Sequence, residues 1–519
     1  MILRLVLAAG CAVCAVGAQD ADQCARCHAA ESRAYRQSPM GKSIGQPAAA
    51  GAGKITQAST GSVITIEQRD GRMFHRLASG LTAEYPIAYQ IGANRIGYSY
   101  LVQIGSYFFE SPASWYRSHG WDLSPGYGSQ ADLDFDRLVD SRCLFCHADR
   151  AEFDRTEGHR FLAGELAAIG CDRCHGPGAD HIRHPSAANI VSPEKLPLAA
   201  RDSVCEQCHL EGETRILNPG KTWLDFRPGE PLEQIAATYV GSQRGGTVHA
   251  VSQAEQLARS KCMRASGGRL WCATCHNPHK QKTDAAEVQH VCLSCHASLS
   301  KAAHPATSAS CVSCHMPRLT PVDIPHASST DHSIPRRPRP LDLGESAAPE
   351  TLMAWREPPA PFRSRDLALA EIIAGDRSQS TALRERGTGL LEQLPIAPDE
   401  TDAKLLAALA GDNLEKGNLQ RALALARRAA AIVPPSALAA SILALILRQS
   451  GDLEGAAQQY ERATEIDPSS RQPWIELAKL YQSQGNTAKV LATIDRYLAW
   501  NPKSLMFRTV RQQVARGRH

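Results

Sequence analysis

Hydrophobic and polar positions alternate with the period of β-strands between residues 50 and 130. The segments SVITIEQ, RMFHRL, YPIAYQIG and YSYLVQIGSYFFES alternate or run apolar, and glycine or Asp-Gly separates them. They are rich in β-branched and aromatic side chains, as strands usually are. The pattern therefore predicts a small β-rich insert over 50–130.

The pattern changes after about residue 365 to the 3.6-residue period of amphipathic helices. Glycine, proline and leucine recur here every 34 residues, at Gly417, Gly451 and Gly485, at Pro434, Pro468 and Pro502, and at Leu409, Leu443 and Leu477. A 34-residue helix–turn–helix unit is the signature of tetratricopeptide repeats, whereas an ordinary helical bundle has no reason to keep this period. We predict an all-α repeat domain over 365–519, with repeats near 403–436, 437–470 and 471–504.

Two further segments, a linker and an N-terminal targeting signal, are predicted from composition. A Pro-rich stretch over 336–364 predicts a linker. At the N-terminus an apolar run ends in small residues, which predicts a signal peptide over 1–18 and an exported, periplasmic protein. The alternative is a lipoprotein signal with a lipid anchor on Cys11, but Ala8 stands where such signals usually have leucine. No later run of about twenty apolar residues exists, so we expect no membrane span.

Length and composition limit the possibilities. A chain of 519 residues is too long for one core and suggests several domains. The net charge of +4 is small, so no nucleic-acid partner is implied. Aromatic residues make up only 6% of the chain, which is low for a core built from side chains alone.

Cysteine changes this picture, because fourteen of the seventeen cysteines lie in seven C-x-x-C-H motifs. Motifs 1 to 7 are Cys24/Cys27/His28, Cys143/Cys146/His147, Cys171/Cys174/His175, Cys205/Cys208/His209, Cys272/Cys275/His276, Cys292/Cys295/His296 and Cys311/Cys314/His315. C-x-x-C-H is the attachment signature of c-type haem: the two thiols hold the porphyrin, and the histidine is the proximal ligand of the iron. Zinc sites do not need a histidine after every second cysteine, and disulfide frameworks do not keep a spacing of two. We predict seven covalent haem c groups.

Six of the motifs lie within 140–335, too close together for a separate globule around each haem. Neighbouring haems are therefore expected to share walls and to pass electrons along a row. A histidine or methionine at the sixth position of an iron gives an electron-transfer site, and an open position gives a catalytic one. The candidate distal ligands are Met40, His181, His249, His279, His304, His326 and His332.

Two of these candidates have specific expectations. Met40 follows the first motif, and we predict it as the distal ligand of haem 1, where a thioether would raise the reduction potential. The alternative is a core methionine that fills a gap. His279 lies three residues after the proximal His276 and cannot easily reach the opposite face of the same haem. It is therefore expected to bind the iron of a neighbouring haem.

The motifs CxxCHGPGxxH, CxxCHxPH and CxxCHMP…H resemble the multihaem cytochromes related to cytochrome c-554 and to the multihaem nitrite and hydroxylamine enzymes, here fused to tetratricopeptide repeats. The resemblance covers most of 20–335 by motif. It implies electron transfer with mostly bis-histidine irons, and it implies distal roles for the six spare histidines named above. The sequence contains no C-x-x-C-K, and Met40 stands where the family often has histidine. Both departures weaken a reductase interpretation.

The sequence thus predicts a mixed fold, in which a haem-packed cytochrome c domain over 19–335, with short helices, loops and the β-rich insert, precedes the repeat domain. The predicted function is that of an exported heptahaem electron carrier that meets redox partner proteins and docks a protein or peptide on its repeats. The alternative is a reductase of a nitrogen or sulfur oxyanion with one open haem. A third, weaker alternative is a scaffold that assembles several redox proteins.

Overall fold

The structure is a computed structural model, and it describes residues 21–48, 50–93, 96–128, 133–149, 152–155, 159–241, 251–280, 285–297, 310–319, 329–336 and 349–517. The predicted signal peptide and the alternative lipid site at Cys11 lie outside these residues. Within them, no helix has the length and apolar character that a membrane crossing requires. The fold is mixed, with a β-rich N-terminal part and an all-helical C-terminal part, as the sequence predicts.

The β-rich part follows two short helices, α1 (Ala21–Ala25) and α2 (Ala29–Tyr35). Its strands are β1 (Ile44–Gly45), β2 (Gly53–Thr56), β3 (Val63–Arg69), β4 (Arg72–Ser79), β5 (Leu81–Pro86), β6 (Tyr89–Ile91), β7 (Gly97–Ile104), β8 (Tyr107–Glu110), β9 (Ala113–Tyr116), β10 (Gly120–Leu123) and β11 (Arg137–Val139). Strands β2 to β5 form an antiparallel four-stranded sheet. The second sheet has the order β1-β6-β7-β8-β11, with β9 paired to both β7 and β10.

The alternating pattern explains this sheet pair. In β3, Ile64 and Ile66 are fully buried while their neighbours along the strand are half exposed. Asp70 and Gly71 connect β3 to β4 with φ of 51° and 73°, and an Asp-Gly pair with positive φ at both positions suits a tight hairpin. The buried faces of the two sheets meet in one hydrophobic cluster that includes Tyr100.

The region that carries motifs 2 to 7 consists of short helices, short strands and loops. Its elements are α3 (Ser141–His147), β12 (Glu152–Phe153), β13 (Phe161–Ala163), α4 (Asp172–His175), α5 (Ala179–Arg183), α6 (Leu198–His209), β14 (Thr214–Leu217), β15 (Ala236–Gly241), α7 (Gln253–Arg259), α8 (Lys261–Ala265), α9 (Cys272–Cys275), α10 (Ala285–Cys295), α11 (Cys311–His315), β16 (Arg318–Leu319), β17 (Ser329–Thr330) and β18 (Leu352–Ala354). In the described parts of 251–315, no hydrophobic side chain is buried. This segment therefore has no core of its own.

The stretch predicted as a linker contains an ordered section. Strand β18 pairs with β15, so it extends the β14-β15 sheet. After β18, Trp355 Nε1 donates a hydrogen bond to Glu206 Oε1 at 3.2 Å, and Arg356 forms ion pairs with Glu206 and Glu233. The proline content of this stretch suggested only irregular structure, because a three-residue strand leaves no visible alternation.

The C-terminal part is a stack of antiparallel helices. They are α12 (Arg363–Ser378), α13 (Thr381–Glu392), α14 (Ala403–Glu415), α15 (Leu419–Ala431), α16 (Ala437–Gln449), α17 (Leu453–Ile466), α18 (Arg471–Ser483), α19 (Thr487–Trp500) and α20 (Leu505–Ala515). The pairs from α14 to α19 coincide with the three predicted repeats. Gly417, Gly451 and Gly485 have φ of 77°, 87° and 69° at the turns inside these pairs, a conformation that favours glycine.

The repeats are attached to the rest of the protein at both ends. At one end, Arg365 of α12 donates to the backbone oxygen of Leu217 at 2.9 Å. At the other end, Asp134 of the β-rich part accepts hydrogen bonds at the N-terminus of α20 from Ser504 Oγ at 3.2 Å and Leu505 N at 2.9 Å. Tyr85 also donates to Asn501 Oδ1 at 2.7 Å. The repeat domain is therefore fastened to two different parts of the N-terminal half.

We expect Asp134→Ala to lower the free energy of unfolding by about 1–2 kcal/mol, because the substitution removes the cap of α20 and leaves buried donors unpaired. Hydrogen exchange in 505–515 should accelerate together with this loss. Chemical unfolding and hydrogen exchange would measure both effects. Asp399→Ala, at an exposed loop residue, is the matched control and should change neither. Equal protection of α20 in the Asp134 variant and the wild type would contradict the prediction.

Candidate cofactor site

The seven motifs share one local conformation. Each lies in or beside a short helix, where residues three apart are neighbours on one face, so the two cysteines of a motif point the same way. The histidine continues the turn, and its amide donates to the carbonyl of the first cysteine, as in His28 to Cys24 at 2.9 Å and His175 to Cys171 at 3.0 Å. All fifteen described cysteines are free thiols.

One large cavity collects the motifs. Its volume is about 4410 Å³, and its lining includes both cysteines and the histidine of every one of the seven motifs. Pockets for a single drug-sized ligand have volumes of about 300–1,000 Å³. The cavity therefore has room for several large groups, and along the described parts of 251–315 it takes the place of a hydrophobic core.

Cysteines of different motifs touch across the cavity wall. The Cys146 thiol of motif 2 donates a hydrogen bond to the backbone oxygen of Gln207 in motif 4 at 3.7 Å. Thiols of other motifs interact across motifs 1 and 3, motifs 4 and 5, and motifs 6 and 7, in the neighbouring pairs Cys171–Cys24, Cys205–Cys272 and Cys292–Cys311. Gln207 of motif 4 also donates to the backbone oxygen of Arg173 in motif 3 at 3.0 Å. The motifs thus form a connected series rather than isolated sites.

Three motif histidines have a second imidazole ring opposite them. The ring centres of His28 and His181 are 6.3 Å apart, with 22° between their planes. Those of His175 and His279 are 6.0 Å apart at 7°. Those of His276 and His332 are 6.1 Å apart at 31°. Each pair joins one motif histidine to one histidine that the sequence analysis names as a candidate distal ligand, and all six rings line the cavity.

Backbone carbonyl oxygens orient several of these rings. Nδ1 of His175 lies 2.8 Å from the oxygen of Val191, and Nδ1 of His332 lies 2.8 Å from that of Thr330. His181 and His315 make the same contact with Ser186 and Pro335, at 3.0 and 2.9 Å. A carbonyl oxygen only accepts, so Nδ1 carries the proton and the lone pair is on Nε2. Metal-binding histidines are usually oriented in this way.

His147 and His209 have a bare surface and are nevertheless surrounded by protein. Their side chains are exposed in terms of surface area, yet burial within the molecule lowers the pKa of both. Groups that line an internal space behave so, because protein surrounds them while one face stays bare. Both rings therefore face the cavity rather than the outer surface.

The remaining predicted ligands divide into two sets. Met40 lines the cavity, but the ring opposite His28 belongs to His181; methionine ligation of haem 1 stays a prediction. His249, His304 and His326 lie outside the described residues. The leftover Cys262 is half-buried and lines the same cavity.

Two arginines beside the motifs, the half-buried Arg173 and the buried Arg215, were not predicted from the sequence. Arg173 donates to the backbone oxygen of Phe145, and its guanidinium lies 4.1 Å from the centre of the Phe145 ring. Arg215 donates to the backbone oxygens of Gln207 at 2.9 Å and Glu206 at 2.5 Å. Arginine is common on surfaces, so only the fold distinguishes these two. The only sequence signal was the position of Arg173 inside motif 3, C-D-R-C-H.

A second, smaller cavity of about 520 Å³ lies between α16 and α18 of the repeats. Leu438, Ile442 and Leu445 of α16 supply apolar lining, and the ion pair between Arg448 and Glu476 supplies charge. His159, from the motif-bearing half, lines the same cavity. We call this space the repeat groove.

No cluster of three or more His, Cys, Asp or Glu suited to a metal ion occurs in the part of the chain that the structure describes. This finding concerns ions held by side chains alone. A haem iron is held in its porphyrin and takes only axial ligands from the protein.

In the comparison with protein families, the tetratricopeptide-repeat model matches residues 447–514. A search of curated proteins finds no similar sequence. The C-terminal part of this chain therefore contains tetratricopeptide repeats.

Similar solved structures include a crystal structure of MamA, with 20% identity over 26% of this chain and 79% of that chain and a TM-score of 0.23. The Naa15/Naa10 complex bound to HypK-THB has 20% identity over 30% and 23%, with a TM-score of 0.25. The APC/C Cut9-Hcn1 hetero-tetramer has 15% identity over 28% and 30%, with a TM-score of 0.24. TM-scores this low carry no conclusion about function.

Ser43 connects the surroundings of motifs 2 and 3. Its hydroxyl donates to the backbone oxygen of His147 at 2.7 Å and accepts from Ile169 N at 3.2 Å. We expect Ser43→Ala to lower the free energy of unfolding by about 1–3 kcal/mol, because two buried backbone groups lose a partner. Ser118→Ala, at an exposed serine, is the control. Equal unfolding midpoints for the two variants would count against this connection.

Proposed function

We propose that this chain is a multihaem c-type cytochrome that carries electrons along closely spaced haems. The three opposed histidine pairs are the observation that carries the proposal. Two imidazoles on opposite sides of one iron, each bonded at about 2.0–2.1 Å and each with its ring centre about 1.1 Å behind the bonded nitrogen, have ring centres about 6.2–6.4 Å apart. The three measured separations of 6.0, 6.1 and 6.3 Å lie close to this value.

Rings in direct offset contact also have centres about 4.5–7 Å apart, so distance alone is weak support. The identity of the pairs adds more. Each pair contains one C-x-x-C-H histidine and one ring from a different part of the chain, and every ring lies on the wall of the same cavity. Carbonyl contacts at His175, His181 and His332 also put the lone pair on Nε2, the nitrogen that would bind iron.

The cavity is also suited to porphyrin. It is large enough for several groups, and the described parts of 251–315, which supply part of its lining, bury no hydrophobic side chain. Seven pairs of free cysteines line it, at the spacing that attaches haem c. Bound haem supplies a centre that gains and loses one electron. The cysteines fix each group in place, and the thiol contacts between motifs put neighbouring groups side by side.

The pairs follow a simple rule of chain order. His28 of motif 1 faces His181, which follows motif 3; His175 of motif 3 faces His279, which follows motif 5; His276 of motif 5 faces His332, which follows motif 7. We propose these as the axial pairs of haems 1, 3 and 5, with His181 in place of Met40 at haem 1. The same order assigns His249 to haem 2 and His304 to haem 4. His326 and Met40 have no assigned iron.

The repeats contribute a docking surface in this proposal. Tetratricopeptide repeats generally bind other proteins along an extended concave surface. The repeat groove offers apolar side chains from α16 beside the charged pair Arg448–Glu476, a mixture that suits a peptide segment of a redox partner. Because His159 lines the groove, a docked partner would lie close to the half of the chain that holds the motifs.

Seven attached haems are the first expectation. The intact mass of the mature, exported protein should exceed that of its polypeptide by seven haem units, because every motif lines the cavity. Denaturing mass spectrometry of protein made with a haem-attachment system measures this number. Fewer than six attached haems would contradict the expectation that every motif is occupied. A protein without any attached haem would overturn the proposed function.

Electron paramagnetic resonance of the oxidised protein tests the axial pairs. We expect His181→Ala to add one high-spin ferric signal, because its iron loses the sixth ligand. His119→Ala is the control, since this exposed histidine lies outside the cavity lining, and it should leave the spectrum unchanged. An unchanged spectrum for His181→Ala would contradict the assignment to haem 1. A stoichiometric high-spin signal in the unsubstituted protein would instead favour the reductase alternative.

A further inference from the structure

Motifs 2 and 4 lie beside a group of arginines that carries more positive charge than its carboxylates offset. Arg173 comes from motif 3, Arg215 from β14 and Arg142 from α3. Arg142 has a carboxylate partner, Glu211. Arg173 and Arg215 instead donate to backbone oxygens, and among the described residues neither has an ion pair with a carboxylate.

Both arginines are close to the cysteines that would hold haems 2 and 4; Arg173 also lies within motif 3, where Asp149 opposes its charge. Arg173 donates to the backbone oxygen of Phe145, the neighbour of Cys146, and Arg215 donates to that of Gln207, the neighbour of Cys208, at 2.9 Å. Arg215 is 7% exposed, and burial lowers its pKa, which reflects the cost of enclosing a cation without an anion. Both side chains line the large cavity. Their charges therefore act on whatever the cavity holds, with little screening by water.

The nearby carboxylates do not cancel this charge. Asp140 caps α3 by accepting from Cys143 N at 3.0 Å. Glu206, within motif 4, forms an ion pair with Arg356. Glu211 is paired to Arg142, and Glu255, which also lies near Arg215, accepts from Gly212 N at 2.6 Å and forms no ion pair with that arginine. The guanidinium groups of Arg173 and Arg215 therefore leave positive charge at motifs 2 and 4.

From this geometry we infer that Arg173 and Arg215 raise the reduction potentials of the haems at motifs 2 and 4 above those of the other five. A nearby cation stabilises the reduced iron relative to the oxidised iron, because reduction removes one positive charge. Electrons that enter elsewhere in the row would then collect at this pair. The inference rests on the proposed function, and it adds that the haems at motifs 2 and 4 are the ones at which electrons collect.

The test is a spectroscopic redox titration of the holoprotein. We expect Arg215→Met and Arg173→Met each to lower the highest midpoint potential by about 59 mV or more, which corresponds to a tenfold change in a one-electron equilibrium. Arg215→Lys retains the charge and should shift it much less. Arg155→Met removes one charge at an exposed arginine, outside the cavity lining, and should leave it unchanged.

Removal of single haems locates the effect. Cys143→Ala combined with Cys146→Ala should remove one electron from the highest-potential step of the titration. Cys311→Ala combined with Cys314→Ala should leave that step intact and remove an electron elsewhere. A highest-potential step that survives the first change and is lost in the second would place it at motif 7 and overturn the inference.

Three other outcomes would also overturn it. The highest potential could stay unchanged in both Met variants at full haem content; Arg215→Lys could shift it as far as Arg215→Met; or Arg155→Met could lower it equally. If the Met variants of both arginines fail to mature while their Lys variants mature, the charge serves assembly and the inference is withdrawn. Absence of haem from the unsubstituted protein would instead refute the proposed function, a result that the mass measurement separates from these.

Discussion

The cysteine motifs of this protein surround a space rather than a packed hydrophobic core, and the architecture between residues 251 and 315 depends on that fact. Between residues 251 and 315 the described chain buries no hydrophobic side chain, although it is folded into helices with defined ends. Backbone hydrogen bonds alone do not keep such short helices folded. In the proposed function the missing apolar contact area comes from porphyrin, and thioether bonds replace the side-chain packing that normally fixes helix positions.

The β-rich part and the repeats, by contrast, have hydrophobic cores built from their own side chains. The β-rich part buries Ile64, Ile66 and Tyr100 between its sheets, and the repeats bury leucine and alanine at the positions that the 34-residue period specifies. The repeats touch the β14-β15-β18 sheet at one end and the β-rich part at the other. They therefore connect that sheet to the β-rich part, and neither the repeats nor the β-rich part needs a cofactor for its own packing.

Local periodicity made much of this fold predictable. The strands around Ile64 follow from alternation, and the repeat helices follow from Gly417 and its equivalents, because both signals are local in the sequence. Strand β18 was missed because its partner β15 lies more than a hundred residues earlier. In the candidate site, the seven motifs and the set of spare histidines could be named from sequence. The choice of His181 as the ring opposite His28 could not, because a contact across the cavity depends on the tertiary fold.

The chain order of the opposed histidines has a consequence for biogenesis. Each pair connects a motif to a ring that lies later in the chain and, in an exported protein, would emerge later: more than 150 residues separate His28 from His181. If these rings are axial ligands, the first haem is attached to its motif long before its sixth ligand has crossed the membrane. The nascent protein would then pass through five-coordinate intermediates, and their spin state and reactivity with small molecules would differ from those of the finished protein. Maturation would end only when the segment after the last motif completes the earlier sites.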